Sequence, residues 1–248
     1  MKTVVMGAAG WLGRAVLDNL EGKHEIRAFD YGPEAWEAWQ EVDGDWEGEV
    51  IHGDIADFDT VDKALEGADG VIHTAVYFPG EDQENDTRPW MINLKGLWNV
   101  LEVARRRGLR RVVHVGSCQT VHPKGVFFSE DVRRPDASLY AINKRLQEEM
   151  CRQFYEGTDF SVVVLRPDYI VDSRIGLGRQ KEKLEKMGIG WVCRHDLAEA
   201  CRLALEHPNL DFDVFHIVGT PEAEESCNVV RAREVLGLEL RGDLEQYR

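Results

Sequence analysis

Residues 3–14 of the chain read TVVMGAAGWLGR, and this stretch decides the expected fold. A short apolar run with β-branched residues, typical of a buried strand, is followed at once by three glycines in the spacing GxxGxxG. The first glycine allows a sharp turn, the second allows a phosphate to approach the backbone, and the third allows close helix–strand packing. The stretch therefore predicts a strand, a phosphate-binding turn and a helix that begins near Trp11.

The same alternation of short β-branched runs and helical stretches continues along the chain. It predicts an α/β fold, a doubly wound parallel sheet of the Rossmann type, in a single domain over residues 1–248. Segments 167–192 and 220–248 are expected to form a small C-terminal substrate-binding portion. Strands are expected at 3–7, 25–29, 49–53, 70–75, 111–116, 161–166 and 215–219. Helices are expected at 11–20, 57–66, 88–107, 137–156, 195–206 and 228–236.

An acidic residue at the end of the second expected strand indicates which dinucleotide the turn binds. Asp30 closes the run EIRAFD, where a carboxylate can accept hydrogen bonds from adenosine ribose hydroxyls and would repel a 2′-phosphate. No arginine follows it at once, since the next residues are Tyr31 and Gly32. We therefore expect NAD rather than NADP as the cofactor. The residues of the turn expected to contact it are Gly7, Ala9, Gly10, Trp11, Leu12 and Gly13.

Composition narrows the classes of partner. The net charge of −15 argues against a nucleic-acid partner, because a phosphate backbone would be repelled. No apolar run approaches the roughly 20 residues that span a bilayer, so no membrane partner is expected. Five widely spaced cysteines without a CxxC pair indicate reduced thiols in a cytoplasmic protein, and no metal site is expected.

A tyrosine and a lysine stand one helical turn apart in the stretch SLYAINK, residues 138–144. Tyr140 and Lys144 would share one face of a helix. Free tyrosine has a pKa of about 10 and is a poor base near neutral pH. A nearby ammonium favours the phenolate, which could then accept a proton from a substrate hydroxyl.

With these pieces in order, the chain resembles the extended short-chain dehydrogenase/reductase family, the NAD-dependent sugar epimerase/dehydratase group. The resemblance runs from residue 1 to about 205. Its motifs are GAAGWLG (7–13), GDIAD (53–57), GVIHTA (70–75), INLKGLWNVLEVAR (92–105), VVHVGSC (112–118), SEDVRRPDASLYAINK (129–144) and VVVLRP (162–167).

The resemblance implies roles for individual residues. Tyr140 and Lys144 match the catalytic YxxxK, and Asn93 matches a helix asparagine that supports the lysine through a proton relay. Arg166 and Pro167 match the strand-end pair that leads into the substrate segment. Contacts to the cofactor are further implied for Asp54 and Ile55 beside the adenine, and for His73, Thr74 and Ala75 after the fourth strand.

The end of the fifth strand departs from the family pattern, which places a Ser or Thr there to hydrogen-bond the reacting oxygen. One alignment puts Cys118 at that position, and the alignment of smaller members puts Ser117 there. A thiol is a weak hydrogen-bond donor, so we favour Ser117, with Cys118 as its neighbour and Thr120 as the alternative source of a hydroxyl. The dehydratases carry an Asp-Glu pair just after this point, where this chain has Gln119 and Thr120. Dehydration is therefore not expected.

The short segment after the sixth strand suits a small substrate, so the chain looks most like the uronate dehydrogenase-type members. A substrate carboxylate calls for a cation in segment 167–192, and Arg174 is preferred over Arg179. Tyr77, Ser117, Cys118 and Gln119 are the other expected substrate contacts.

Two other functions and an assembly follow from the same pattern. A sugar epimerase or carbonyl reductase of the same family is the first alternative, and a non-catalytic dinucleotide-binding regulator is the second. The helices expected at 88–107 and 137–156 carry apolar residues on more than one face, and the family commonly pairs them across a dimer. We therefore expect a homodimer.

Overall fold

The computed structural model describes residues 1–80, 83–121 and 136–248. Residues 129–135 of the motif SEDVRRPDASLYAINK therefore lie outside the described range, as do residues 81–82. Among the described residues, no helix is both long enough and apolar enough to cross a membrane.

Within the described part of the chain, seven strands form one parallel sheet in the order β10-β6-β5-β4-β1-β2-β3. The order reverses between β1 and β4, so the carboxyl ends of these two strands border the crevice where doubly wound sheets bind ligands. The strands of the sheet are β1 Lys2–Met6, β2 Glu25–Asp30, β3 Glu49–His52, β4 Gly70–His73, β5 Arg111–Val115, β6 Val162–Arg166 and β10 Phe212–His216. The predicted fold class is confirmed.

Helices cover both faces of the sheet. The α-helices are α1 Trp11–Leu20, α2 Gln40–Asp43, α3 Phe58–Ala64, α4 Arg88–Trp90, α5 Gly96–Arg106, α6 Leu139–Thr158, α7 Arg194–Glu206 and α8 Val230–Leu236. A π-helical turn, Met91–Lys95, joins α4 to α5. Short 3-10 helices run over Pro33–Trp39, Cys118–Thr120, Pro221–Glu225 and Glu245–Tyr247.

Alternation along each strand divides the core into two layers. Neighbouring side chains of a strand point to opposite faces of the sheet. Val5 accordingly packs with residues of α1 and α7, such as Leu17 and Leu197. Val4 packs on the other face with residues of α3, α5 and α6, such as Leu101. Burial on both faces explains why the strands read as continuous apolar runs.

The last strand lies three residues earlier than the sequence predicts. The expected range was 215–219, whereas β10 is Phe212–His216 and pairs with all of β6. Ile217 and Val218 are buried but lie beyond the strand. The backbone N–H of Gly219 donates to the carbonyl of Trp191 at 2.8 Å, so the chain has already turned away from the sheet. The apolar run that begins at Phe215 thus consists of buried residues, but the pairing of β10 with β6 ends at His216.

Segment 167–192, which reads as irregular in the sequence, contributes a second small sheet. Within the described residues it has three strands, with β7 Tyr169–Asp172 antiparallel to β8 Leu177–Gly178 and parallel to β9 Trp191–Cys193. The C-terminal tail contacts it, because the hydroxyl of Tyr247 donates to the carbonyl of Ser173 at 3.0 Å. That segments 167–192 and 220–248 form a substrate-binding portion stays a prediction.

Candidate functional site

The glycine turn after β1 is sterically compulsory at two of its three glycines. Gly7 has φ +80°, and a Cβ there would lie 2.6 Å from the backbone nitrogen of Ala75. A Cβ on Gly13 would lie 2.1 Å from the carbonyl oxygen of Gly7. Gly10, by contrast, is exposed, and its nearest neighbour would be at 3.4 Å. The turn is therefore tightly packed at Gly7 and Gly13. At Gly10, by the N-terminus of α1, the backbone is exposed, and a phosphate group could approach it there.

Asp30 lies beside this turn at the end of β2. Its carboxylate accepts hydrogen bonds from the backbone N–H of Ala9 at 2.8 Å and of Tyr31 at 2.9 Å. Burial raises the pKa of Asp30, and these two amides oppose the rise. Thr74, after β4, donates its hydroxyl to the carbonyls of Met6 and Gly7. The ends of three neighbouring strands are thus tied to the glycine turn.

Other expected cofactor contacts are distributed around the turn. Ala9 and Leu12 are buried, and Leu12 belongs to the core. Ile55 is buried against Gly96 of α5, and Asp54 is bound to the backbone N–H of Ala56.

Trp11 points toward the small sheet. Its indole N–H donates to the carbonyl of Ile170 at 3.2 Å. The ring lies against Trp39, with 4.4 Å between ring centres.

Tyr140, Lys144 and Ser117 come together at the carboxyl end of β5. The side chain of Ser138 caps α6, so Tyr140 stands in the first turn of that helix. The ammonium of Lys144 donates to the carbonyl of Val115 at 2.9 Å and lies 5.9 Å from the ring centre of Tyr140. The hydroxyl of Ser117 hydrogen-bonds to Tyr140. The sequence spacing had indicated the first two of these side chains, and the third follows from the strand end.

Burial sets the proton affinities of this cluster. It raises the pKa of Tyr140 to about 12, against the opposing effects of the Ser117 hydrogen bond and the charge of Arg179. Burial also lowers the pKa of Lys144 to about 7. Near neutral pH the phenol of Tyr140 is therefore uncharged, whereas Lys144 is divided between its charged and neutral forms. A compensating charge is needed to ionise Tyr140.

The side chain of Cys118 is bound by other groups. Its thiol donates to the carbonyl of Arg166 at 3.2 Å, and its side chain packs in a small apolar cluster with Val218 and Ala223. Burial raises the pKa of this thiol far above its usual range. Of the two candidates left open by the sequence, Ser117 is the one that contacts Tyr140.

Arg166 and Pro167 support the site through the framework. The guanidinium of Arg166 binds Glu148 of α6, with Nε 2.7 Å from Oε2. The carbonyl of Pro167 accepts from the backbone N–H of Cys118 at 2.9 Å. These contacts join β6 to α6 and to the turn that carries Ser117, and a contact of Arg166 with the cofactor stays a prediction.

Asn93, expected to support Lys144 through a relay, binds other partners. Its amide oxygen accepts from the backbone N–H of Tyr77 at 2.7 Å, and its amide nitrogen donates to the carbonyl of Tyr77 and to Asn143. The carbonyl of Asn93 accepts from Gln147 at 2.7 Å. Asn93 therefore anchors the segment after β4, and the hydroxyl of Tyr77 itself donates to Asp86.

His73 lies beneath the site and is paired with His114. Both imidazoles are fully buried, and their Nδ1 atoms are 3.1 Å apart, so one ring donates and the other accepts. Burial, assisted by the charge of Lys144, lowers the pKa of His73 to about 3 and that of His114 well below its usual value. Because the imidazole of His73 has no accessible surface, a contact to the cofactor would have to come from its backbone, and this expectation stays a prediction.

Two arginines from the sequence analysis lie in different places. The guanidinium of Arg179 lies 4.3 Å from the ring centre of Phe78, which in turn stacks on Tyr140 at 5.2 Å. Arg174 instead lines a cleft with Arg14, Asp18 and His195, beside α1 and α7. The structure therefore brings Arg179 to Tyr140 and does not bring Arg174, the first choice from the sequence.

Sequence reasoning missed two residues beside Tyr140. Phe78 supplies the ring between Tyr140 and Arg179, and Asp168 is close enough for its charge to raise the pKa of Tyr140. The position of Asp168 directly after the Arg166–Pro167 strand-end pair was the available signal.

A family model described as the NAD dependent epimerase/dehydratase family matches residues 3–187. The chain belongs to this family. It is therefore an NAD-dependent enzyme of the extended short-chain dehydrogenase/reductase type, as the motifs predicted.

Individual members of the epimerase/dehydratase family resemble the chain over most of its length. Uronate dehydrogenase of Pseudomonas syringae pv. tomato is 27% identical over 220 residues, which are 87% of this chain and 73% of that protein.

Two solved structures cover nearly the whole chain. A short-chain dehydrogenase/reductase superfamily protein of Agrobacterium tumefaciens, with bound NAD, has a TM-score of 0.79 at 20% identity, covering 100% of this chain and 94% of that one. UDP-glucose 4-epimerase of Brucella ovis, in complex with NAD, has a TM-score of 0.79 at 19% identity, covering 99% and 95%. At these identities the likeness supports the shared fold.

The buried histidine pair predicts a loss of stability in acid. Because the folded pKa values lie below the unfolded value of about 6.5, the unfolded chain binds more protons as the pH falls below that value. Each histidine should remove about 2 kcal/mol of unfolding free energy between pH 7 and pH 5. Urea unfolding of His114→Gln at both pH values should therefore show a loss smaller than that of the wild type by this amount.

The exposed His52 offers the matched control, since its side chain is in solvent in both states. His52→Gln should leave the difference between the two pH values unchanged. Equal acid losses in His114→Gln and the wild type would contradict the assignment of a neutral buried pair.

Proposed function

We propose that this protein oxidises the anomeric hydroxyl of a free hexuronic acid, or of a closely similar sugar acid, to the lactone with NAD as the oxidant. The observation that carries the proposal is the contact of Ser117 with Tyr140, one turn from Lys144, with the cation of Arg179 on the adjacent Phe78. Similarity to uronate dehydrogenases over 87% of the chain supports the same substrate class.

In this proposal Tyr140 is the base. Its phenol oxygen accepts the proton of the substrate hydroxyl, and the hydroxyl of Ser117 holds the reacting oxygen in line with it. The ammonium of Lys144 stabilises the phenolate from the same helix face. Phe78 covers the ring of Tyr140 and excludes water from that side.

The cofactor would lie over the glycine turn. The bare backbone at Gly10 and the N-terminus of α1 would hold the pyrophosphate, and Asp30 would bind the adenosine ribose. When bound, NAD supplies the positively charged nicotinamide that accepts the hydride.

Arg179 is proposed to bind the substrate carboxylate. An arginine suits this task because its planar guanidinium can donate two parallel hydrogen bonds to a carboxylate. Its position on Phe78 keeps the charge close to Tyr140, as its effect on the pKa of Tyr140 requires. Segments 167–192 and 220–248 would form the small pocket around a monosaccharide.

Turnover is tested by following NAD reduction across free uronic acids, neutral aldoses and nucleotide sugars. We expect reduction with uronic acids alone, and Tyr140→Phe should lower kcat by at least about 100-fold because it removes the proton acceptor. NAD affinity of this variant should stay within about threefold, which separates loss of chemistry from loss of the site.

If the protein binds NAD but none of these compounds reduces it, the dehydrogenase proposal is contradicted. Interconversion of sugar epimers would then identify an epimerase that retains its cofactor. The absence of any conversion would identify a dinucleotide-binding regulator.

The two arginines provide a matched pair for the carboxylate. Arg179→Met should raise KM for a uronate by about 10- to 100-fold, with kcat changed far less, because the lost hydrogen bonds bind ground state and transition state alike. Arg174→Met removes the same charge from the other cleft and should leave KM within about twofold. The reverse pattern would return the carboxylate site to Arg174.

We also propose a homodimer formed through α5 and α6. These helices line an exposed apolar groove, and a second copy of the same two helices is the occupant that the family commonly provides. The groove is lined by Leu94, Trp98, Leu146, Met150 and Phe154, among others.

A charge in this groove should separate the dimer. Trp98→Glu is expected to halve the mass measured by light scattering after size-exclusion chromatography, because it would place a carboxylate in an apolar interface. Val230→Glu is the control, since both side chains belong to residues that are 38% exposed and Val230 lies on α8. A dimer that survives Trp98→Glu would place the interface elsewhere.

A further inference from the structure

Asp168 is held firmly between two parts of the chain. It stands two residues after the end of β6, and the carbonyl of its neighbour Pro167 accepts from the backbone N–H of Cys118 at 2.9 Å. On its other side, the backbone N–H of Tyr169 donates to the carbonyl of Gly190 at 3.0 Å. The backbone on both sides of Asp168 is therefore fixed, one side to the turn that carries Ser117 and the other to the start of β9.

A glycine makes room for the Asp168 carboxylate. A Cβ on Gly190 would lie 1.9 Å from Oδ2 of Asp168 and 2.7 Å from its Cγ. Gly190 does not have positive φ, so its backbone conformation is open to other residues. Gly190 is therefore required for space, because any side chain there would clash with the carboxylate of Asp168.

The Asp168 carboxylate has no hydrogen-bond donor among the described residues, although the side chain is half-buried. Burial alone raises its pKa to about 6. Asp172, four residues further on, shows the contrast: hydrogen bonds from His195 and Arg194 overcome its burial and lower its pKa far below the usual value. Because the side chain is half-buried, its carboxylate has lost part of its hydration, and a hydrogen bond from a ligand would compensate for that loss.

The 2.9 Å hydrogen bond from Cys118 to Pro167 places Asp168 next to the turn that carries Ser117. The charge of Asp168 acts on Tyr140 and on Cys118, in keeping with that position. The carboxylate, which has no donor among the described residues, is thus near the proposed reacting oxygen. A carboxylate there repels a substrate carboxylate and accepts hydrogen bonds from hydroxyl groups. Arg179, the cation proposed for the acid end, lies on Phe78, with its guanidinium 4.3 Å from the ring centre. A sugar acid would then be read at two points, by its carboxylate and by a hydroxyl.

We infer that Asp168 accepts a hydrogen bond from the substrate hydroxyl next to the reacting carbon, and so makes a vicinal diol a requirement for efficient turnover. This inference rests on the proposed oxidation of a sugar acid at its anomeric carbon. The neighbouring group is then the 2-hydroxyl. Asp168 is a specificity-determining residue in this arrangement, and Tyr140 keeps the proton transfer.

The test compares a uronate that the wild type oxidises with its 2-deoxy analogue, in the wild type and in Asp168→Asn. The wild type should prefer the full substrate by about 10- to 100-fold in kcat/KM, the range of one hydrogen bond to a charged group. Asp168→Asn should lose most of that preference by falling on the full substrate while staying within about twofold on the analogue.

A second variant moves the carboxylate without removing it. Gly190→Ala should displace Asp168 and reduce the same preference in the same direction. Gly157→Ala, where a Cβ meets nothing within 4 Å, is the control for a glycine replacement and should leave the preference intact. NAD affinity and thermal midpoint, measured in parallel, should change little in Asp168→Asn.

The outcomes separate this inference from the proposed function. Equal losses on both substrates, or an unchanged preference in Asp168→Asn, would overturn the role of Asp168 while the dehydrogenase activity stands. A wild type that oxidises no sugar acid would overturn the proposed function and this inference with it.

Discussion

The buried guanidinium of Arg194 joins the two halves of the candidate site. Its Nε donates to Asp172 of β7 at 2.7 Å, and its two terminal nitrogens bind Asp43 of α2 at 2.8 and 2.6 Å. The same group lies 3.9 Å from the ring centre of Trp11, the first residue of α1. With Arg194 only 2% exposed, the cost of burying the cation is offset by two carboxylates, and removing either would leave the cation with only one of them. The small sheet is in this way fixed in position against the glycine turn.

This connection holds the phosphate-binding part and the substrate-binding part of the proposed site in a fixed relative position. Phosphate contacts would depend on α1, whereas Asp168 and Arg179 belong to the segment that forms the small sheet. Independent movement of the two would spoil the alignment of a reacting carbon with its hydride acceptor, where errors of about an ångström are costly. The ion pairs of Arg194 thus fix the relative position of the two parts, whether or not they add to the free energy of unfolding.

The surroundings of Tyr140 disfavour a buried charge pair. Burial favours the neutral phenol and the neutral amine, with pKa values of about 12 and about 7. Beneath them, His73 and His114 are held neutral by the same desolvation. Ionisation of Tyr140 therefore requires compensation, which ties its activation to an occupied site.

Local constraints explain which parts of the site could be predicted from the sequence. The glycine turn, Asp30 and the Tyr140–Lys144 pair depend on spacing within one strand or one helical turn, so the sequence pattern contains them. The small sheet was missed because its strands are two to four residues long and pair across loops, which leaves no periodicity to detect. The sequence could not indicate which of Arg174 and Arg179 lies near Tyr140 for the same reason, since the path of that segment decides which side chain reaches it. Asp168 drew no attention, because an unpaired acceptor is visible only once its surroundings are known.

The anchor of Lys144 has a consequence for how this site can change over generations. Its ammonium is held by the main-chain carbonyl of Val115, a group that every amino acid carries. Drift at position 115 can alter packing, yet it cannot delete the acceptor. The lysine thus keeps its partner through substitutions at position 115, whereas the roles proposed for Asp168 and Arg179 depend on their own side chains. Substrate preference can therefore change around Tyr140 and Lys144, because the carbonyl that holds Lys144 does not depend on the side chain at position 115.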